Sequence, residues 1–393
     1  MRSIVRQTKK YVQKIVEKGF IKEDFAALTE QAVFGILKNE SVHLSNIARA
    51  LNEKQPLINT EKRLSLGMAD THYNDDELRY GYLKAISPTL NRCKYFIGDT
   101  TDFSKPYGKT FEYLDEVRDA SSKDKHIEPG YWGMCFEATT DSHKNVPIDL
   151  QVFSTKDPSY QGWYETIKES LLRSLPHVPQ SAEHLFDRGF DDIKLMELLN
   201  GQKRFWTIRQ KQNRNIVVSR KTLLMSDFVQ GLRTPYSGWI PYVDKSTHQP
   251  SKYLVHFNWV PVELPQLEGK CTLIVVDIGH KDPMVLLTSR RINSENSALR
   301  LVRAYLRRWG VEEGIRLLKQ KALLEDFRVR SMVSICRLAL MAMLAYGCLA
   351  TIVHHAPKNA QRLMNKLKTF IPVVLFPYYR LWDSVAQELS EKI

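Results

Sequence analysis

The spacing of apolar residues changes several times along the 393-residue chain, and the first 90 residues follow a helical period. Within them, "SVHLSNIARALN" and "INTEKRLS" predict two short helices around the turn "EKQP". Ser45 and Thr60 are the candidate N-caps, because a hydroxyl can accept a hydrogen bond from the first helical turn. A helix-turn-helix-like DNA reader and a plain helical bundle both fit this pattern.

From residue 94 the period shortens to that of β-strands. β-branched and aromatic residues are enriched in "KYFIGDTT", "GYWGMCFEATT" and "VPIDLQVFS", which predict three strands. The segments that follow predict a helix at "GWYETIKESLLRSL", a strand at "EHLFDRG" and a helix at "DDIKLMELLNG". Strands followed by alternating helix and strand indicate a mixed α/β domain.

The segment 203–290 is again rich in strand formers, and long helices follow it. Its predicted strands are "KRFWTIRQ", "SKYLVHFNWVPV", "CTLIVVDIG" and "PMVLLTS". Helices are predicted from 294 to about 353, with Ser294 or Asn296 as the first cap. The apolar run 338–353 has 16 residues, fewer than the roughly 20 of a membrane-spanning helix. It therefore predicts a buried core helix, and we expect no membrane partner.

The charge of the chain favours an acidic partner. The formal net charge is +13, and nucleic acid is the commonest partner of so basic a protein. Between 203 and 221 the chain has seven basic residues and no acidic one. The five cysteines form no CxxC pair, which favours neither a zinc site nor a disulfide framework. With no apolar leader at the N-terminus, the sequence predicts a cytoplasmic protein.

One helix is predicted to carry four polar side chains on a single face. In "AYLRRWGVEEGIRLLKQ", residues 304–320, the side chains of Tyr305, Arg308, Glu312 and Lys319 fall within about 60° of arc if the helix is continuous. A second stripe is suited to packing and consists of Val302, Leu306, Trp309 and Leu317. A solvated face with an Arg308–Glu312 ion pair, worth a few tenths of a kcal/mol, is the simpler interpretation of the polar stripe.

Two aspartates elsewhere in the chain are candidate metal ligands alongside this helix. Asp99 and Asp187 each end a predicted apolar strand, where an aspartate is often only a turn former or helix cap. Together with Glu312 they suit a two-metal site for phosphoryl transfer, and carboxylates are ligands that Mg²⁺ prefers. Other carboxylates lie next to the chosen ones in the sequence. Asp191 and Asp192 are predicted to cap the next helix, and Glu313 is predicted to face the packing stripe. Asp102 lies near Asp99 and is not chosen as a ligand.

These segments resemble the DDE transposases of bacterial insertion sequences. Tyr305, Arg308, Glu312 and Lys319 match the Y-x2-R-x3-E-x6-K signature of the "insertion sequence four" type, while "GDTT" and "DRGFD" match its two aspartate segments. The resemblance covers about residues 90–335. It implies an α/β fold class with an RNase H-like catalytic core interrupted by a β-rich insertion. It also implies catalysis by Asp99, Asp187 and Glu312 with Mg²⁺, or with Mn²⁺ as a substitute.

The resemblance also implies partners and further contacts. The implied partners are double-stranded DNA, as terminal inverted repeats and target DNA, and a second copy of the chain in a homodimer. Tyr305, Arg308 and Lys319 are implied to hold phosphate. Many members of the family release the element through a DNA hairpin, and Trp309 and Met284 match its stacking and wedge positions, although both also fit a packed core.

The basic segment 203–221 is expected to contact the DNA backbone near the cut site, with Arg209 and Lys211 as the chosen residues. Two alternatives to a cut-and-paste transposase stay open. One is a catalytically silent DNA-binding derivative, which the intact carboxylates argue against. The other is an RNase H-like nuclease that cuts DNA without joining it.

The sequence divides into five predicted regions. They are a helical DNA-end-binding region (1–90), the first part of the core (91–202), the β-rich insertion (203–290), the second part of the core with the catalytic helix (291–335), and a helical C-terminal region suited to dimer contacts (336–393).

Overall fold

The computed structural model describes residues 3–118, 127–140, 144–243, 250–279, 282–355, 357–366 and 378–390. Short pieces of the predicted insertion (244–249 and 280–281) and of the predicted C-terminal region (367–377 and 391–393) lie outside the described residues. The described residues form a mixed α/β structure with helical ends, which confirms the fold class at that level.

The helices of the described residues, in chain order, are α1 (Ser3–Gly19), α2 (Glu23–Asn39), α3 (Leu44–Leu51), α4 (Leu57–Ala69), α5 (Asp75–Leu90), α6 (Trp163–Ser174), α7 (Ile193–Gly201), α8 (Met225–Gly231), α9 (Glu295–Leu306), α10 (Trp309–Gln320), α11 (Met332–His355), α12 (Pro357–Lys366) and α13 (Tyr378–Ser390). The strands are β1 (Tyr95–Ser104), β2 (Asp115–Arg118), β3 (Ile127–Thr139), β4 (Asn145–Phe153), β5 (Glu183–Phe186), β6 (Phe205–Arg209), β7 (Asn215–Val218), β8 (Lys221–Leu224), β9 (Tyr236–Val243), β10 (Pro250–Leu264), β11 (Leu267–Asp277) and β12 (Met284–Thr288). Each strand-rich segment quoted above contains one of these strands.

The chain forms two compact units. The first unit contains Met1–Cys93, Thr100–Pro179 and Val311–Ile393. The second unit contains Lys94–Asp99 and Gln180–Gly310. Strand β1 contributes residues to both, because its first five residues belong to the second unit and the others to the first.

The first unit is built around α11. This helix packs against β4, α2 and α4, and it contains the apolar run 338–353 predicted as a core helix. By length and composition it is apolar enough to cross a bilayer, but 89% of its apolar window is buried inside the protein. That burial is typical of a core helix, and the prediction of a buried helix is confirmed.

Two short helices, α3 and α4, flank the predicted turn near the N-terminus, but their caps differ from the prediction. The residues that precede the helices are His43 and Pro56. The predicted cap Thr60 is instead buried inside α4, where its hydroxyl donates to Glu53 Oε2 at 2.8 Å. Ser45 lies within α3. Both helices therefore begin earlier than the hydroxyl-bearing residues suggested.

The second unit has a parallel and an antiparallel part. Strands β1, β5 and β6 are parallel neighbours, and α7 makes the crossover that parallel strands require. Strand β12 then pairs antiparallel with β6, and β11, β10 and β9 follow. Strand β6 therefore joins the two parts, because it pairs in parallel with β5 and antiparallel with β12.

The predicted single helix at 294–320 is two helices. Ser294 caps α9 as predicted, through a capping box with Ser297. However, α9 ends at Leu306 and α10 begins at Trp309, so the prediction of a continuous helix is wrong. The amides of Arg307 and Arg308 bond to carbonyls three residues back, each at 3.0 Å. These i→i+3 bonds tighten the turn, so the common 60° face is not maintained across the break.

Candidate active site

Two aspartates lie where the parallel pairing of β1 with β5 ends: Asp187 directly follows β5, and Asp99 lies within β1, which continues to Ser104. The register of β1 and β5 pairs Gly98 with Phe186, and Asp99 and Asp187 are the next residues on each strand. They therefore stand at the same level of the sheet. Asp187 Oδ1 also accepts a bond from Gly189 N at 2.7 Å.

Asp99 forms an ion pair with Arg308 inside the second unit. Arg308 Nη1 donates to Asp99 Oδ2 at 2.7 Å, and the two side chains are only 9% and 13% exposed. Arg308 lies in the turn between α9 and α10, so its side chain is not bound to the periodic face of either helix. The guanidinium therefore neutralises a carboxylate that the sequence assigns to a metal.

Tyr305 lies beside this pair and belongs to the same unit. Its side chain is 4% exposed, and it packs in a core cluster with Val302. Burial raises the pKa of Tyr305 to about 12, and the positive charges of Arg308 and Arg209 act in the opposite direction. At neutral pH the hydroxyl is therefore protonated and can donate a hydrogen bond to an anion.

Arg209 faces the same group of side chains. Its pKa is lowered by burial first and by the charge of Arg188 second, while Tyr305 and Asp187 raise it. Arg188 was not among the predicted residues. The carboxylates of the second unit are therefore surrounded by arginines from β6, from the segment after β5 and from the turn after α9, as a site for phosphate requires.

The basic segment 203–221 is not a uniform exposed strip. Asp191 Oδ2 accepts from Lys211 N at 2.8 Å, and Asp191 Oδ1 forms an ion pair with Arg214. Burial raises the pKa of Asp191, and these two contacts lower it. Asp191 is therefore not the predicted helix cap, whereas Asp192 is: its side chain accepts from Lys194 N at 2.8 Å.

Glu312 lies in the first turn of α10 and belongs to the first unit. Its side chain is exposed, whereas Gly314 and Leu317 of the same helix are buried. Glu313 accepts from Arg316 Nη1 at 2.6 Å along the helix surface. The structure thus gives the two adjacent glutamates different surroundings.

Lys319, at the end of α10, is held by two carboxylates of the first unit. Its Nζ lies 2.9 Å from Glu325 Oε1 and 3.5 Å from Asp102 Oδ2. Asp102, which lies near Asp99 in the sequence, is thus a partner of Lys319. Sequence reasoning missed Glu325, which follows the signature and carries no spacing signal of its own.

The two candidate stacking residues differ in exposure. Trp309 is 56% exposed at the start of α10. Met284 is 4% exposed and packs with Ile274 and Val302 in the core cluster of the second unit. The structure therefore does not present Met284 at the surface as a wedge, because its position at the start of β12 turns the side chain into the core.

The donor chemistry fits a hard divalent cation, although the ligands are not assembled into one cluster. Among the described residues, no three His, Cys, Asp or Glu side chains form a group that could hold a metal ion. Asp99 and Asp187 nevertheless offer carboxylate oxygens at one level of the sheet, and such oxygens are the ligands Mg²⁺ prefers.

Comparison with known proteins adds a family. A family model described as "Transposase DDE domain" matches residues 123–348. Among solved structures, the cryo-EM structure of a piggyBac transposase synaptic complex with hairpin DNA is similar to this chain, with a TM-score of 0.49 and 10% identity. That similarity covers 99% of this chain and 78% of the other. No curated protein sequence matches.

Proposed function

The chain belongs to the transposase DDE domain family, and from that premise we propose that it is a metal-dependent DNA transposase. It binds the terminal inverted repeats of its element, cleaves the ends by phosphoryl transfer and joins them to target DNA. The observation that carries this proposal is the placement of Asp99 and Asp187 at one level of two parallel strands, with arginines around them.

In this proposal Asp99, Asp187 and Glu312 hold the Mg²⁺ or Mn²⁺ ions. The bound ions would supply Lewis-acid stabilisation of the charge that develops on the phosphate. The contribution of the chain is a set of hard oxygen ligands, two of which stand on rigid strands. Glu312 sits in the first turn of a helix, where Glu313 is already engaged with Arg316.

Tyr305, Arg308 and Lys319 bind DNA phosphates in the proposed mechanism. Arg308 now pairs with Asp99, and Lys319 pairs with Glu325 and Asp102. A phosphate oxygen accepts the same charge-assisted hydrogen bonds as a carboxylate. When DNA binds, Arg308 and Lys319 would therefore exchange these carboxylate partners for DNA phosphates. Before DNA binds, the carboxylates hold both side chains in position.

The resemblance in sequence supports five further features of this proposed transposase. They are the signature of the "insertion sequence four" type, an RNase H-like core, a homodimer on DNA, passage through a hairpin and a place in the bacterial cytoplasm. The parallel neighbours β1, β5 and β6, the last two connected by α7, support such a core.

A strand-transfer assay tests the proposed function directly. The full chain is incubated with Mg²⁺ or Mn²⁺, a labelled duplex that carries the DNA bordering its gene, and a circular target. We expect cleaved ends and joined products. Cleavage without joining would identify a nuclease, and binding without cleavage would identify a silent DNA-binding derivative.

The basic segment provides a prediction about salt dependence. Changing Arg209 and Lys211 together to glutamine is expected to weaken binding to DNA of any sequence. It should flatten the slope of log K against log[salt] by roughly one unit per lost phosphate contact. Lys270→Gln is the matched control, because Lys270 is an exposed cation of the same unit, 79% exposed. An unchanged slope in the double variant would place this segment away from DNA.

The exposed Trp309 provides a prediction about the hairpin. A base that leaves the stack needs a new stacking surface, which is worth ~1–3 kcal/mol. Trp309→Ala is therefore expected to reduce hairpin formation by about 5- to 150-fold relative to first-strand nicking. Products are separated on gels, and a fluorescent adenine analogue beside the cut reports unstacking. Trp239→Ala is the control, since Trp239 is 53% exposed in the same unit. A normal hairpin yield in Trp309→Ala would refute this role.

A further inference from the structure

A glutamate that the proposed mechanism does not use is buried in the first unit. Glu137 is 3% exposed and lies on β3, where the register against β4 shifts between Phe136 and Glu137. Glutamate is almost never fully buried unless it is paired. The groups bonded to its carboxyl are neutral: Asn145 Nδ2 donates to Oε2 at 2.6 Å, and Tyr346 contributes a side-chain hydrogen bond.

The carboxyl of Glu137 lies directly against the backbone of α10. A Cβ built on Gly314 would overlap Glu137 Oε1 and would lie 2.8 Å from Glu137 Cδ. Glycine destabilises the interior of a helix relative to alanine, but here a larger residue would require the Glu137 carboxyl to move. Glu137 therefore sets how closely the middle of α10 approaches β3.

Glu312 lies on the opposite face of α10 from this contact. Glu312 and Gly314 are two residues apart, which is about 200° around a helix. Gly314 is buried against Glu137, and Glu312 is exposed on the opposite side of α10. A shift of Gly314 relative to Glu137 therefore also moves the helical turn that carries the Glu312 carboxylate.

Fully buried tyrosines from three helices complete the surroundings. They are Tyr82 of α5, Tyr346 of α11 and Tyr378 of α13. Tyr82 Oη donates to Pro147 O, and Tyr378 Oη donates to Asn145 O, each at 2.5 Å. The bond from Tyr378 is to the backbone carbonyl of Asn145, and the side chain of the same residue donates to Glu137, so α13 and β4 meet beside the carboxyl.

We propose that Glu137 is a positioning residue: its buried carboxyl seats α10 at Gly314 and thereby holds Glu312 in place for the metal. This inference rests on the proposed role of Glu312. Glu137 itself touches neither DNA nor metal in the proposed mechanism. Within the first unit, the buried carboxyl of Glu137 thus positions a helix although it takes no part in the chemistry.

The geometry also sets a pH dependence. Burial raises the pKa of Glu137 from 4.5 to about 8, while its bonds to Asn145 and Tyr346 lower it. Burial also raises the pKa values of Tyr82, Tyr346 and Tyr378 well above 10, so these tyrosines stay neutral where Glu137 titrates. A raised pKa means that the stabilisation is fully present below 4.5 and is lost as pH rises through about 8.

The first experiment compares pH profiles of end nicking and of the melting temperature. Glu137→Gln is expected to nick within about threefold of the parent near pH 7. It should lack the parent's fall in melting temperature between about pH 4.5 and 8, and the parent's fall in rate as pH rises through about 8. Glu137→Ala should lose at least about tenfold in rate while staying folded by circular dichroism. The same fall in rate and melting temperature in Glu137→Gln as in the parent, or a parent-like rate in folded Glu137→Ala, would overturn the proposal.

The second experiment tests the contact itself. Gly314→Ala alone should reduce both nicking and the melting temperature, because the added methyl group overlaps the Glu137 carboxyl. In the Glu137→Ala background the same change should be tolerated, because the carboxyl is gone. Such non-additivity is expected of residues that touch or share their packing, whereas distant, independent sites give additive effects. Additive effects would therefore contradict the proposed contact.

The melting temperatures separate failure of this inference from failure of the proposed function. They report the Glu137–Gly314 contact without any catalytic readout. If Glu312→Gln remains active, the proposed role of Glu312 fails while the contact can still be measured. If Glu312→Gln is inactive but the pH and double-variant results are negative, only the inference about Glu137 fails.

Discussion

Glu312→Gln is expected to abolish DNA cleavage and joining while leaving DNA binding nearly intact. Removing one carboxylate ligand weakens the stabilisation of charge in the transition state, and losses of about 10²–10³-fold or more accompany the removal of a single such group. The phosphate contacts of Tyr305, Arg308 and Lys319 stay in place. Because Glu312 is exposed in the first turn of α10, the amide should not unfold the protein. Nicking, joining and gel-shift assays on one preparation measure the three quantities.

The adjacent glutamate is the matched control. Glu313 forms an ion pair with Arg316 one turn away, with side chains 33% and 53% exposed. Such exposed pairs contribute only about 0.2–1 kcal/mol. Glu313→Gln should therefore cleave and join DNA nearly as well as the parent. The reverse outcome, with Glu313→Gln inactive and Glu312→Gln active, would show that the wrong glutamate was assigned.

Most of the strands could be predicted from the sequence because their signals are local, although β2, β7, β8 and β9 were not predicted. In β5, the buried residues end at Phe186, so the change to the charged Asp187 marks the carboxyl end of the strand. The same change at Asp99 does not end β1, which continues to Ser104, so that prediction was wrong. The core helix α11 was equally legible from its uninterrupted apolar run. In these segments burial is decided by neighbouring residues in the chain.

The break between α9 and α10 could not be predicted in this way. The apolar period continues through Arg307 and Arg308, and neither glycine nor proline occupies these positions. What distinguishes Arg308 is its buried partner Asp99, which is 209 positions earlier in the chain. The break also changes the phase of the helix, and Trp309, placed in the packing stripe by a continuous helix, is exposed instead.

The partners of the charged residues were hidden for the same reason. Spacing identified Lys319 as a phosphate ligand, but its pairing with Glu325 and Asp102 depends on how β1 and the segment after α10 pack. The contact between Glu137 and Gly314 likewise joins β3 to α10. Sequence patterns record the face of an element, whereas these contacts depend on which elements meet.

Arg308→Met is expected to destabilise the DNA-free protein by roughly 3–5 kcal/mol. The Arg308–Asp99 pair is about 10% exposed on either side, so loss of the guanidinium leaves a nearly buried carboxylate without its counterion. Replacing both partners, in Asp99→Asn with Arg308→Met, should recover most of the loss because no charge is then left unpaired. Urea unfolding of the parent, both single variants and the double variant gives the coupling between the two residues.

Arg307→Met is the control for the general loss of a positive charge at this turn. Arg307 is only partly buried, and its guanidinium lies 5.7 Å from the ring centre of Tyr95, a contact worth about 0.5–1 kcal/mol at an exposed site. Its removal should therefore cost much less than that of Arg308. Equal losses for Arg307→Met and Arg308→Met, or a double variant no more stable than Arg308→Met, would show that the Asp99 pair does not stabilise the turn. The smaller loss at Arg307 would instead show that the buried Asp99 carboxylate is what makes Arg308 important for the stability of this turn.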